Sequence, residues 1–240
     1  MRTLCVVVSL CLAGPALAQA PAPAAAPDPL VGSASLGYLS TSGNTDSTNA
    51  NGSFKVTWDL DGPWKHDWTA LLISARTNGV TTAESYSAGY KAQRDFSETS
   101  YLFFSGDWRE DLFSGFDRQV SEAVGYGRHL IDSEKHMLAL EGGAGARQSD
   151  VATGEELNEA IVRGGLDYIF TISETSEFEQ KLLIEQGEDN RYTQSTSSLK
   201  ARVVGNIALV FSYVIKSNSD VPIGIEKTDR FTSLALEYAF

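Results

Sequence analysis

From Leu30 onward, apolar and polar residues alternate with a period of two, segment after segment, and no helical period replaces it. Phe54, Val56, Trp58 and Leu60 are interleaved with Lys55, Thr57 and Asp59. Tyr86, Ala88, Tyr90 and Ala92 fall between Ser85, Ser87, Gly89 and Lys91. Ile207, Leu209, Phe211, Tyr213 and Ile215 alternate with Ala208, Val210, Ser212, Val214 and Lys216, and Thr232, Leu234, Leu236, Tyr238 and Phe240 with Ser233, Ala235, Glu237 and Ala239. A strand turns successive side chains to opposite faces, so each segment predicts a strand with one greasy and one polar side. Eleven turn-like stretches, the first at Ser42–Asn51 and the last at Asn218–Thr228, separate the segments and predict about twelve strands. The first boundary is open to a second reading, with Asn51–Gly52 itself as the hairpin turn. The connections alternate between mostly longer and short ones, the short set including DFSE, DSEK, SETS and GN.

Alternation does not say which face is buried. A soluble barrel hides the apolar face, whereas a membrane barrel turns it to lipid and fills the lumen with polar groups. The polar face here is rich in small residues and opposite charges, which suits a narrow lumen. Aromatic residues near strand ends (Tyr38, Trp64, Trp68, Trp108, Tyr168, Tyr192 and Tyr238) are placed as interfacial girdles would be. In hydrocarbon every backbone N–H and C=O must pair, so such a sheet has to close on itself. The expectation is an all-β, transmembrane, antiparallel up-and-down barrel over residues 30–240. A soluble periplasmic ligand-binding barrel with an apolar interior is the less favoured alternative.

The first 18 residues read as a cleaved secretory signal peptide: Met1–Arg2 supplies a positive start, Leu4 to Leu12 an apolar core, and Ala16–Leu17–Ala18 a small-residue cleavage site. Residues 19–29, QAPAPAAAPDP, form a Pro/Ala linker. Both cysteines, Cys5 and Cys11, lie in the leader, so the exported part relies on no disulfide. Without Arg2 it carries 18 basic against 31 acidic residues, a net charge of −13. With no basic patch, nucleic acid is excluded as a partner. Export plus a membrane barrel points to the outer membrane of a Gram-negative bacterium.

The chain ends in SLALEYAF, where Leu234, Leu236, Tyr238 and Phe240 match the assembly signal of bacterial outer-membrane proteins. Two further tracts carry a family resemblance. Leu36–Phe54, with its SGNT tetrad (Ser42–Thr45), is similar to the opening hairpin of the YdiY-like family, whose name describes salt-induced outer-membrane proteins. Arg109–Asp132 resembles that family's central hairpin, with Asp111, Phe113, Gly115, Gly125, Tyr126 and Gly127 at matching places. The resemblance runs from Val31 to Phe240. It implies location and fold, and a salt-responsive role by name alone, because the family has no established molecular function.

Chemistry-bearing patterns are sparse. His66, His129 and His136 have no HxH or HExxH spacing, so neither a metal nor another cofactor is expected. No G-x-S-x-G occurs. His129 with Ser121 or Asp132 could be drawn as a triad, which keeps a barrel-embedded lipid hydrolase or acyltransferase as an alternative, but the expectation is no enzyme. Gly125–Tyr126–Gly127 and Gly142–Gly143–Ala144–Gly145 read as thinning of the lumen face or as bends. Acidic connections (Asp46, Asp111, Glu155, Glu156, Glu188, Asp189) read as solvated loops, with divalent-cation bridges to lipopolysaccharide phosphates as the less favoured alternative. The set that bears on function is the inward-facing charge: Lys55, Asp59, Lys91, Glu141, Arg147, Arg163, Asp167, Glu177, Glu179, Lys181, Glu185, Lys200, Arg202 and Glu237. These could line a narrow, weakly charge-selective pore or form an ion-paired plug; twelve strands leave more room than the eight that side chains fill. The expected partners are outer-membrane lipid and lipopolysaccharide, with chaperones and the barrel-assembly machinery during biogenesis, around a monomer. The functional expectation is a structural or envelope-stress protein, or a narrow passive pore.

Overall fold

The computed structural model describes residues 29–41, 47–60, 62–112 and 114–240. The signal peptide and all but Pro29 of the Pro/Ala linker lie outside the described residues.

Twelve antiparallel strands form one closed barrel, each hydrogen-bonded to its neighbours in sequence and the last returning to the first. They are β1 (Leu30–Thr41), β2 (Ser47–Asp59), β3 (Trp64–Thr77), β4 (Val80–Ser97), β5 (Ser100–Asp111), β6 (Phe116–Asp132), β7 (His136–Val151), β8 (Glu156–Ser173), β9 (Ser176–Gln186), β10 (Arg191–Val204), β11 (Ile207–Asn218) and β12 (Thr228–Ala239). Each strand boundary between β1 and β12 falls inside, or within two residues of, one of the eleven predicted turn regions. The connections are shorter than the sequence suggested, because ladders run into the turn residues themselves. At one end of the barrel every described connection has two to four residues; the other end includes the nine residues between β11 and β12. We call the ends short-turn and long-loop. Asn51 and Gly52 are not a turn: they sit in mid-β2, opposite Gly37 and Leu36. The tightest hairpin at the long-loop end is Asn78–Gly79, both at positive φ (52° and 77°). That is the pairing a two-residue turn between right-twisted strands requires.

Strand lengths are uneven. β6, β7 and β8 have 17, 16 and 18 residues, whereas β11, β12 and β1 have 12 each. The seam is also uneven. β1 pairs β2 from Leu30 to Thr41, but its ladder to β12 runs only from Ser33↔Ala239 to Leu36↔Leu236. Below it, Gly32 and Phe240 exchange both backbone hydrogen bonds, at 2.8 and 2.9 Å.

Polarity is inverted relative to a water-soluble barrel. Leu36, Val162 and Leu236 point outward and are 79%, 66% and 59% exposed. Ion pairs join strands that are not neighbours, such as Arg109 of β5 with Glu185 of β9, and so identify the charged face as the interior. An apolar interior, as a soluble ligand-binding barrel would have, is therefore overturned. Toward the short-turn end the outer surface carries aromatic clusters. His66 stacks between Trp64 and Trp68 and shares a 2.8 Å hydrogen bond with the Tyr90 hydroxyl. His136 stacks on Phe170 and bonds the Tyr168 hydroxyl at 2.9 Å. Tyr238 stacks with Phe240. Tyr192 departs from the expected girdle. Its cross-strand partner is the inward Glu185, and the ring is 3% exposed with the Arg109 guanidinium 4.2 Å above it.

Candidate functional site: a half-filled lumen

All fourteen sequence-selected charges occupy register positions on the lumen face, because cross-strand partners share a side of the sheet. Lys55 pairs with Ser33 and Thr69, Glu141 with Gly127 and Gly165, and Arg163 with Gly143 and Glu185, all on that side. The structure gathers twelve of the fourteen into three neighbourhoods and leaves Asp59 and Arg202 at the short-turn rim.

The first is a buried ion cluster against β5–β9, toward the long-loop end. Glu185, fully buried, accepts two hydrogen bonds from Arg109 (both 2.9 Å), one from Arg163 (2.8 Å) and one from the Ser121 hydroxyl (3.0 Å). Arg163 also reaches Asp107 at 2.6 Å. Arg147, also fully buried, donates to Glu159 (2.6 Å) and to the Asn190 carbonyl (2.5 Å). The second carboxylate oxygen of Glu159 takes the backbone N–H groups of Asp189 and Asn190 at 2.7 and 3.0 Å. The β9–β10 connection is thereby folded into the barrel mouth. Lys216 bridges from β11 to Ser85 (2.6 Å) and Asp111 (3.6 Å). Four cations (Arg109, Arg147, Arg163, Lys216) face four anions (Asp107, Asp111, Glu159, Glu185), so the cluster is neutral. Buried ions carry a desolvation penalty of several kcal/mol each, offset only by good geometry and multiple hydrogen bonds. This cluster has both. Near its mouth, Pro222 of the β11–β12 connection lies against Gly115 of the β5–β6 connection.

The second neighbourhood lies deeper. Lys91 pairs with Glu141, which also accepts the Tyr101 hydroxyl at 2.8 Å. Tyr101 and Phe103 face inward, 2% and 4% exposed. The glycines opposite make this possible: a Cβ on Gly127 would sit 2.2 Å from the Tyr101 ring, and one on Gly125 2.6 Å from Phe103. The thinning role holds for Gly125, Gly127, Gly143 and Gly145, whereas Gly142 pairs with Tyr126 on the outer face.

The third neighbourhood is open. A cavity of about 580 Å³ runs along the opposite wall, under β1–β3 and β9–β12. Lys55, Glu177, Glu179, Lys181, Lys200 and Glu237 line it, with Lys200 paired to Glu237 at 2.5 Å and Lys181 to Glu179. Asp167 lies 4.0 Å from Lys181. Asp59 and Arg202 are exposed at the short-turn rim.

Sequence reasoning missed Asp107, Arg109, Asp111, Glu159 and Lys216. The signal on β5 was hidden by the run Tyr101–Leu102–Phe103–Phe104, apolar on both faces, so that no alternation marks which side Asp107 and Arg109 take. His129 does not join Ser121. The histidine packs on Tyr101, and Ser121 lies eight residues up the same strand, roughly 26 Å away. Among the described residues no cluster of three or more His, Cys, Asp or Glu is placed to hold a metal. Loop residue Asp46 lies outside the described residues, Asp111 is drawn into the ion cluster, and Glu155 and Glu156 are exposed.

A family model described as "Protein of unknown function, DUF481" matches residues 34–240. The uncharacterized protein YdiY of Escherichia coli (strain K12) is 27% identical over 222 residues, covering 90% of this chain and 86% of that protein. Among solved structures, the COG4313 outer membrane channel from Pseudomonas putida F1 is similar with a TM-score of 0.52 and 10% identity, over 88% of this chain and 95% of that one. The NanC porin is similar at a TM-score of 0.47 and 9% identity, over 88% and 97%. At 10% identity the likeness to the channel is one of fold.

Proposed function

This chain belongs to the DUF481 family of proteins of unknown function, and from its lumen we propose that it is a narrow passive pore in the outer membrane of a Gram-negative bacterium. One observation carries the reading: the ion cluster sits mainly against β5–β9, with Lys216 reaching it from β11, and a cavity of about 580 Å³ remains along the wall of β1–β3 and β9–β12. A purely structural barrel of this size has no need of such a space, and the volume lies in the range of about 300–1,000 Å³ that holds small organic solutes. The apolar outer surface supports a lipid environment, since soluble proteins rarely expose apolar patches beyond a few hundred Å². The leader over residues 1–18 supports export, and Phe240, clasped to Gly32, supports recognition of the C-terminal strand by the barrel-assembly machinery. Outer-membrane lipid and lipopolysaccharide would surround a monomer. No catalytic role is proposed: the Ser121 hydroxyl donates a hydrogen bond to Glu185, a carboxylate held by Arg109 and Arg163, and His129 packs on Tyr101 far from it. A salt-responsive role rests on the resemblance alone and is not part of the proposal.

The test is reconstitution. Folded protein should migrate heat-modifiably on gels and give small, steady conductance steps in planar bilayers. A barrel that inserts and remains electrically silent, and that passes no small solute such as glycerol, would refute the pore.

A further inference from the structure

The two halves of the lumen differ in charge. The buried cluster holds four cations against four anions, and Lys91 is matched by Glu141, so neither of these neighbourhoods leaves an excess. The open cavity does. Its inward charges are Lys55, Lys181 and Lys200 against Glu177, Glu179, Glu237 and Asp229, and Asp167 beside Lys181 is a fifth anion. Arg230 adds nothing inside, because its cross-strand partner is Ile215 on the outer face. Three cations thus face five anions. Toward the short-turn end the balance is not restored: Lys65 and Arg202 share the inward register with Asp59, Asp67 and Asp95.

Pairing within the cavity sharpens the difference. Lys200 is held by Glu237 and Lys181 by Glu179, and Asp167 reaches only the engaged Lys181, at 4.0 Å. Glu177 faces Lys200 across the β9–β10 ladder, yet Lys200 turns to Glu237, and among the described residues Glu177 forms no ion pair. One carboxylate oxygen of Asp167 accepts no hydrogen bond. Asp229 lies opposite Lys216, which Asp111 engages. Against these carboxylates the cavity offers one ammonium outside any ion pair, that of Lys55. A lining dominated by one sign admits ions of the other, and low-dielectric walls focus its field. A passing cation can exchange hydration oxygens for those of Glu177 and Asp167, whereas an anion is repelled by the same groups.

We infer that the cavity passes small cations in preference to anions, and that Glu177 and Asp167 set the preference. The inference rests on the pore reading and specifies what the pore selects.

Reversal potentials of the full-length processed barrel in planar bilayers, under a gradient of potassium chloride, test it. In dilute salt the potassium-to-chloride permeability ratio should be on the order of 10, the low end of what a charged cleft achieves. It should fall toward one in molar salt, where the screening length shrinks to about 3 Å. Glu177 and Lys55 stand outside the ion pairs, so replacing either leaves those pairs intact, and heat-modifiable migration checks that each variant folds. Glu177→Gln should lower the ratio and Lys55→Gln should raise it. Glu177→Gln combined with Asp167→Asn leaves three cations facing three anions and should bring the ratio close to one. A ratio of one or less for the unaltered barrel in dilute salt would overturn the inference while leaving the pore intact. So would a folded double variant as cation-selective as the unaltered barrel. Absent conductance, together with failure of glycerol to enter, would instead bring down the pore reading itself.

Discussion

Replacing Glu185 with alanine removes the one carboxylate around which three guanidinium groups are gathered. Arg109 loses two hydrogen bonds and Arg163 one, and Arg147 loses a charge 3.9 Å away. Breaking a buried ion pair from one side leaves charge without compensation and costs about 3–5 kcal/mol. Four charge-assisted bonds, each worth about 1.5–3 kcal/mol, would sum to more, but they share partners and are not additive. We therefore predict a loss of about 3–5 kcal/mol for Glu185→Ala, and a smaller loss for Glu185→Gln, which keeps one carbonyl acceptor. Urea unfolding in lipid vesicles, followed by the fluorescence of Trp58, Trp64, Trp68 and Trp108, reads the loss as a lower midpoint with an unchanged slope. The double substitution Arg109→Ala/Glu185→Ala should be more stable than the two single losses add up to, by more than about 1 kcal/mol. The same vesicles should pass anions more readily in the Glu185→Ala form, since the cluster then carries one positive charge in excess while Arg147 and Arg163 keep Glu159 and Asp107. An unfolding midpoint and an ion preference both equal to those of the unaltered barrel would show that the cluster is hydrated and contributes nothing.

Four other substitutions probe separate parts of the argument. Glu159→Gln weakens the hold on the N–H groups of Asp189 and Asn190, and hydrogen exchange at those amides should quicken at least tenfold while β9 and β10 stay protected; unchanged rates would remove the latch. Gly127→Ala drives a methyl group into the Tyr101 ring and should destabilise by about 1–3 kcal/mol, with most of that recovered in the Tyr101→Leu background; equal losses in both backgrounds would contradict the contact. Glu122 is exposed on the outer face between Gly106 and Ala146, so Glu122→Leu should leave vesicle stability equal or higher, because acidic side chains are disfavoured against lipid; a clear loss would place that surface against something polar. Ala34→Cys with Tyr238→Cys, cross-strand partners at the seam, should form a disulfide that raises the temperature of the gel-mobility transition, and no shift would mean that the seam is not the weak joint.

The barrel was legible in the sequence because its signal is redundant. Each one-sided strand repeats the same instruction, and an error at one turn moves a boundary without changing the count. Facing was legible wherever polar and apolar residues alternate cleanly, as on β2, β10 and β11. It failed where both faces are apolar, as on β5, and where a residue type misleads. Tyr192 looks like a girdle tyrosine near a strand end, yet its partner Glu185 fixes it inside. Which lumen charges meet was not legible at all. Strand order gives neighbours, but Arg109 reaches Glu185 across a distance set by curvature and tilt of the closed sheet, which no local pattern encodes. That one half of the lumen is filled and the other open follows from those distances and from glycines such as Gly127, whose importance shows only beside Tyr101.

The uneven strand lengths give the cylinder a slanting rim. If the short-turn end is level, β6–β8 rise above β11, β12 and β1 by four to six residues, roughly 10–15 Å along the axis for strands tilted about 40°. The tall palisade backs the ion-filled half, while the low sill fronts the vacant one. A molecule diffusing close to the lipid headgroups would thus meet the doorway sideways, with the high wall behind acting as a backstop.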